Sequence, residues 1–169
     1  MKKSRILICG ISGAGKTTLA KELAQQFGYE ALYLDTYLWK ENWTIRSNEE
    51  LFNKLDAKTA GDCWILEGAL LKVVRRYISQ VDIVIWLRPK RHTAILRILK
   101  RAILNFGQVR EEFAPGCNER IDFEFLKWVW NYPKSKDPEL MKIFEEAGVK
   151  VIEVKGNDLS KVYEASEFK

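Results

Sequence analysis

A chain of 169 residues and 19.7 kDa accommodates one domain around a single core and leaves little room for a second. Its 47% hydrophobic content, with eight Phe, six Trp and six Tyr, excludes a disordered polymer. The net charge of +5, from 28 Lys and Arg against 23 Asp and Glu, suits an anionic ligand, nucleic acid included, without choosing among them.

Met1–Arg5 is basic, but the apolar run Ile6–Cys9 stops at Gly10, too soon for a signal-peptide core or a membrane span. The chain therefore reads as cytoplasmic, with no membrane partner. Cys9, Cys63 and Cys117 are odd in number and lack metal-ligand spacing, which argues for free thiols.

Residues 5–9 form a short apolar run, followed by a glycine-rich turn and a helical pattern through Leu19, Leu23 and Phe27 that Gly28 stops. Residues 31–34 read as a second buried strand ending at Asp35, and an aromatic connection spans Tyr37 to Trp43. Ser47-Asn48-Glu49-Glu50 matches a capping box ahead of the apolar stripe Leu51, Phe52 and Leu55, which predicts a helix to about residue 60. Residues 63–66 give a third strand leading into Glu67-Gly68, and residues 83–87 a fourth, ended by Pro89.

From Lys90 to Phe106, Ile95, Ile98, Leu99, Ala102, Ile103 and Phe106 recur at helical spacing until Gly107, with Arg97 and Arg101 one turn apart on another face. A polar stretch follows, then a helix from about Asp122 to Asn131 that Pro133 should halt. A further helix ends at Ala147 before Gly148; residues 149–154 form a fifth strand and residues 157–166 a last helix. Strands without polar alternation, separated by helices, imply an α/β fold: a three-layer α/β/α sandwich around a five-stranded parallel sheet.

Gly10-Ile11-Ser12-Gly13-Ala14-Gly15-Lys16-Thr17 satisfies the pattern G-x-x-x-x-G-K-[ST] between a strand and a helix, where a phosphate-binding loop (P-loop) must lie. Gly10, Gly13 and Gly15 admit backbone paths that a Cβ would hinder, so that N–H groups around Ser12 and Ala14 can turn inward on a β-phosphate. The helix N-terminus adds partial positive charge. Lys16 should reach the β- and γ-phosphates, Thr17 should offer its hydroxyl to Mg²⁺, and Thr18 should touch the α-phosphate. The implied ligands are ATP and Mg²⁺.

In open α/β sheets, ligands lie beyond the C-terminal strand ends, where Asp35 and Glu67 fall. Glu67 either holds Mg²⁺ through a water or simply ends its strand. Asp35 either accepts a proton from an attacking hydroxyl or binds an acceptor's polar groups, or else is an ordinary turn residue. Asp82, at the start of the fourth strand, reads as a turn or capping group on the far side. Arg88, Lys90, Arg91, Arg97, Lys100, Arg101 and Arg110 concentrate positive charge in one stretch, and Arg75 and Arg76 follow the third strand. Guanidinium groups of this kind can close over phosphates or merely face solvent. Trp39, Trp43, Trp128 and Trp130 read as core or helix-packing residues rather than stacking platforms, and the single histidine, His92, is assigned no role.

With the loop stand four further blocks: Leu34–Trp43 (LDTYLWKENW), Trp64–Gly68 (WILEG), Val81–Arg91 (VDIVIWLRPKR) and Gly116–Pro133 (GCNERIDFEFLKWVWNYP). Through them the chain resembles, from about Ile6 to about Pro138, the DNA topology modulation (FlaR-like) proteins of the adenylate-kinase-like P-loop NTPases. The resemblance implies strand order 2-3-1-4-5, an acceptor-binding segment over 36–62 and a lid over about 107–121. It also implies phosphate-binding roles for Arg97, Arg101 and Arg110, and adenine against the backbone near Gly156. One departure is Glu67-Gly68-Ala69-Leu70, where that family has Asp-Gly followed by Asn-Tyr. The expected activity is transfer of the ATP γ-phosphate to a nucleotide or small molecule; an ATP-binding regulator acting on nucleic acid or a protein partner is the alternative.

Overall fold

The computed structural model describes residues 4–109, 113, 115–119, 121–156 and 158–164. The apolar run at the start becomes β1 (Arg5–Gly10), in which Ile6, Leu7, Ile8 and Cys9 are all buried, as a strand flanked on both sides by other strands and covered on both faces requires. The loop leads into α1 (Lys16–Phe27), which buries Leu19, Ala20, Leu23 and Phe27 and ends at a left-handed Gly28. Then come β2 (Glu30–Tyr33), the short helix α2 (Leu34–Leu38) and an antiparallel ribbon of β3 (Trp39–Lys40) and β4 (Thr44–Ile45).

Helix α3 (Asn48–Thr59) starts at the expected capping box: the Glu50 N–H donates to Ser47 Oγ and the Ser47 N–H to the Glu50 carboxylate. The chain continues through β5 (Trp64–Glu67), α4 (Leu71–Tyr77), β6 (Ile83–Arg88), α5 (Arg91–Leu104), α6 (Phe123–Ser135), α7 (Asp137–Ala147), β7 (Lys150–Lys155) and α8 (Ser160–Glu164).

The main sheet is five-stranded and parallel, in the order β2-β5-β1-β6-β7. Counting its strands in chain order, this is 2-3-1-4-5, the order the family resemblance implies. The chain moves to one side of β1 for β2 and β5, then to the other for β6 and β7. The crevice at the C-terminal end of β1 is therefore the switch point where open α/β sheets take ligands. Asp82 lies at the opposite end, accepting from the Arg5 N–H at 2.7 Å, in agreement with the far-side reading.

Some boundaries differ from the expected ones. Pro133 does not halt α6, which runs on to Ser135. The missing N–H costs one hydrogen bond in the last turn, where buried Val129 and Tyr132 anchor the helix against the core. Helix α5 stops at Leu104 rather than at Gly107, because Asn105 turns its side-chain amide back onto the Arg101 carbonyl at 3.0 Å. Of the residues recurring at helical spacing, Ile103 within α5 and Phe106 beyond it are exposed. Asp35 falls in the first turn of α2 rather than at the tip of a strand.

Candidate active site

The loop closes tightly onto β6 and α5. Gly10 has φ +145°, and a Cβ there would lie 2.2 Å from the Leu87 carbonyl oxygen; at Gly13, φ +77°, it would lie 2.5 Å from that of Ala94. Both contacts are with backbone that cannot step aside, so this path accepts glycine alone. Helix α1 then begins with no side-chain cap and no acidic residue in its first turn. Its leading N–H groups are left facing the groove with the positive end of the helix dipole, an arrangement suited to an anion.

Three side chains meet at the helix start. The Lys16 ammonium lies 3.5 Å from Glu67 Oε1 and donates to the Ile11 carbonyl at 3.3 Å, while the Thr17 hydroxyl donates to Glu67 Oε2 at 3.4 Å. Glu67 ends β5 beside β1, with Ile8 as its register partner. Burial pushes its carboxyl above the ordinary value, Lys16 opposes that shift, and the nearby Asp35 charge adds to it. A loop with an uncapped helix end, a lysine, a threonine and a buried carboxylate fits a nucleoside triphosphate with its divalent cation. Among the described residues no cluster of three or more His, Cys, Asp or Glu forms a metal cage.

Arg97 reaches over from α5 and donates to the Gly13 and Ala14 carbonyls at 3.3 Å each. One turn on, Arg101 Nε stands 2.9 Å from Glu119 Oε1, an electrostatic contact rather than an aligned hydrogen bond. Both arginines line a groove of about 710 Å³ with Ser12 to Thr18, Asp35, Glu67, Leu87 and Gly156. Gly156 is fixed by its N–H to the Arg88 carbonyl at 3.2 Å. Arg110 lies outside the described residues.

The remaining basic residues disperse. Arg88 pairs with Asp137 at 3.1 Å and with Glu153, and Arg91 lies over the Trp130 ring. Arg76 is bound to Asp56 at 2.6 Å and packed on Phe52, so it braces α4 against α3. Neither Arg75 nor Arg76 lines the groove. The charge concentration seen along the chain is thus not one surface. Only Arg97 and Arg101 of its described members turn toward the loop.

On the other side of Lys16 opens a second cavity, of about 660 Å³, which takes part of its lining from the segment expected to bind an acceptor but whose aromatic wall sequence reasoning did not anticipate. Trp39, Trp43, Phe113, Phe125, Trp128 and Tyr132 form much of its wall, above Asp35, Glu67 and Asp122. Three of the tryptophans read as packing residues therefore line a cavity, because α6 docks against α5 and carries Trp128 to the mouth opposite the β3–β4 ribbon. The ring centroids of Trp39 and Trp43 are 5.3 Å apart, those of Trp43 and Phe113 5.0 Å, and those of Trp128 and Tyr132 5.1 Å.

The expected lid is partly described. Val109 and Asn118 form an antiparallel bridge, and the Gly107 N–H donates to the Glu119 carbonyl at 3.1 Å. It is joined to the ribbon: Cys117 Sγ accepts from the Trp43 N–H and donates to the Lys40 carbonyl, each at 3.3 Å, and the Asn42 N–H reaches the Pro115 carbonyl. Cys9, Cys63 and Cys117 are free thiols. No described helix is long and apolar enough to cross a membrane.

This sheet order, with the phosphate loop at its switch point, defines an adenylate-kinase-like P-loop NTPase. More particularly, the AAA domain model matches residues 6–105, and the chain belongs to that family. It is 30% identical over 118 residues to the cytidylate kinase of Halalkalibacterium halodurans, a match covering 66% of this chain. The chain spans about half (50%) the length of that relative. Among solved structures, shikimate kinase from Acinetobacter baumannii in complex with shikimate superposes with a TM-score of 0.57 at 19% identity, over 94% of this chain and 86% of the other. The YorR protein of Bacillus subtilis in complex with phosphorylated GDP gives 0.54 at 14% identity, over 94% and 90%. These two likenesses concern the fold.

Proposed function

We propose that the chain is an Mg²⁺-dependent phosphotransferase that moves the γ-phosphoryl group of ATP to a hydroxyl of a small acceptor. The observation that carries this reading is the meeting of the two cavities at one set of side chains: Ser12, Lys16, Asp35, Glu67 and Arg101 line both. A donor in the groove and an acceptor among the aromatic rings would face each other across Lys16. The kinase relatives support the same class of reaction.

In this reading the loop N–H groups hold the β-phosphate, Thr18 the α-phosphate, and the backbone at Gly156 borders the adenine. Lys16 exchanges Glu67 for the β- and γ-phosphates. Arg97 and Arg101 face the phosphoryl group in flight, and Arg110 joins them from the lid. Asp35 orients the acceptor hydroxyl and takes its proton. Thr17 and, through water, Glu67 hold Mg²⁺, whose contribution is to neutralise phosphate charge. The two segments around Leu34–Trp43 and Asp122–Tyr132, which carry part of the FlaR-like resemblance, supply the acceptor side.

The test is ATP consumption by the purified chain with Mg²⁺ across a panel of hydroxylated acceptors, beside Lys16→Ala. The expected result is acceptor-dependent turnover that falls by roughly 10²–10³-fold in the variant, as when one preorganised charge-stabilising group is removed. Slow hydrolysis indifferent to every acceptor and to Lys16 would refute it.

A further inference from the structure

The second cavity has a chemistry of its own. Of its described lining, the charged members are Lys16, Arg101, Asp35, Glu67 and Asp122. Lys16 is shared with Glu67 and faces the loop, and Arg101 stands against Glu119. Asp122 caps α6 by accepting from the Phe125 N–H at 3.0 Å. An acceptor carrying its own phosphate or carboxylate would be desolvated here beside three carboxylates, and the two described cations of the lining, Lys16 and Arg101, are the ones the donor phosphates draw on. By contrast, the six aromatic rings offer flat apolar surface. Phe125 and Trp128 stack at 5.7 Å with an interplanar angle of 19°, and Trp128 is 47% exposed, so its ring is available to a ligand. The volume of about 660 Å³ falls within the roughly 300–1,000 Å³ of ligand pockets.

From this, and resting on the phosphotransferase reading, we infer that the acceptor is an uncharged, ring-bearing alcohol of the nucleoside class rather than a nucleoside monophosphate. Its base lies against the tryptophans of the ribbon and α6, a mode that tolerates different bases because each presents a π face. Its hydroxyl points to Asp35 at the seam between the cavities. The hydroxyl oxygen forms the new bond to Pγ while the bond from Pγ to the β-phosphate oxygen breaks, the proton passes to the Asp35 carboxylate, and ADP leaves with the electron pair.

The experiment compares cytidine, uridine, adenosine and guanosine with their 5′-monophosphates. Transfer is read by phosphorus NMR of the product, and binding to the nucleotide-free chain by quenching of tryptophan fluorescence. At least one nucleoside is expected to be phosphorylated with kcat/KM about tenfold or more above its monophosphate. Trp128→Ala should raise that nucleoside's KM about tenfold, and Trp128→Phe should restore part of it, with the KM for ATP unchanged. Preference for the monophosphates, equal use of both, or preference for the non-aromatic hydroxy acid shikimate, included in the same panel, overturns the acceptor class and leaves phosphoryl transfer standing. Selective quenching by nucleosides without transfer to any acceptor supports the ligand class and refutes the kinase instead.

Discussion

Glu67 carries two burdens that conflict at the level of a single residue. As a carboxylate it balances Lys16 and accepts from Thr17; as a buried group beside Asp35 it is held protonated more readily than a free glutamate. Because the folded value lies above that of the unfolded chain, the folded state binds this proton more tightly, and stability falls with pH wherever that difference operates. The contribution is fully present below the ordinary value of 4.5 and is lost as pH rises through the folded value. Urea denaturation at a series of pH values should therefore show the nucleotide-free protein losing stability across that window relative to Glu67→Gln, whose amide does not titrate. Superimposable pH profiles for the two proteins would remove Glu67 as the source.

Elements differ in how far their purpose can be read locally. The capping box at Ser47 is a four-residue signal, and the structure forms both of its hydrogen bonds. Helix α3 buries Leu51, Leu55 and Thr59 and packs on α2, so its start influences the acceptor segment and not the loop. Ser47→Ala should cost about 1 kcal/mol and lower Tm by about 2–4 °C, with ATP binding retained. An unchanged Tm would mean that tertiary packing alone sets the helix start. The succession of strand, glycine turn and helix around Lys16 was legible for the same local reason, since its parts are contiguous. The aromatic cavity was not, because Trp39 and Trp128 are 89 positions apart, and helical or strand spacing cannot tell a ring that packs inward from one that lines a hollow. Nor could spacing separate Arg97, which turns to the loop, from Arg88 and Arg76, whose partners Asp137 and Asp56 come from distant elements.

At the scale of the whole molecule, the parallel sheet brings the ends of β1 and β5 together so that one helix start and one buried acid face each other. The nucleotide-free arrangement leaves the leading N–H groups of α1 without side-chain caps and keeps a carboxylate buried, two costs that a triphosphate with Mg²⁺ would offset. A ligand that binds only the folded state adds RT ln(1 + [L]/Kd), about 2.7 kcal/mol at a hundredfold excess over Kd. For a chain of this length each kcal/mol raises Tm by roughly 2–4 °C, so Mg²⁺ with a non-hydrolysable ATP analogue should raise Tm by about 5–10 °C. The same analogue in EDTA should raise it less, and Lys16→Ala should respond to neither. Because this shift needs no acceptor, it isolates the donor half of the site. A flat melting curve at saturating analogue would show that the loop does not hold a triphosphate, whereas a full shift without turnover would locate the failure on the acceptor side.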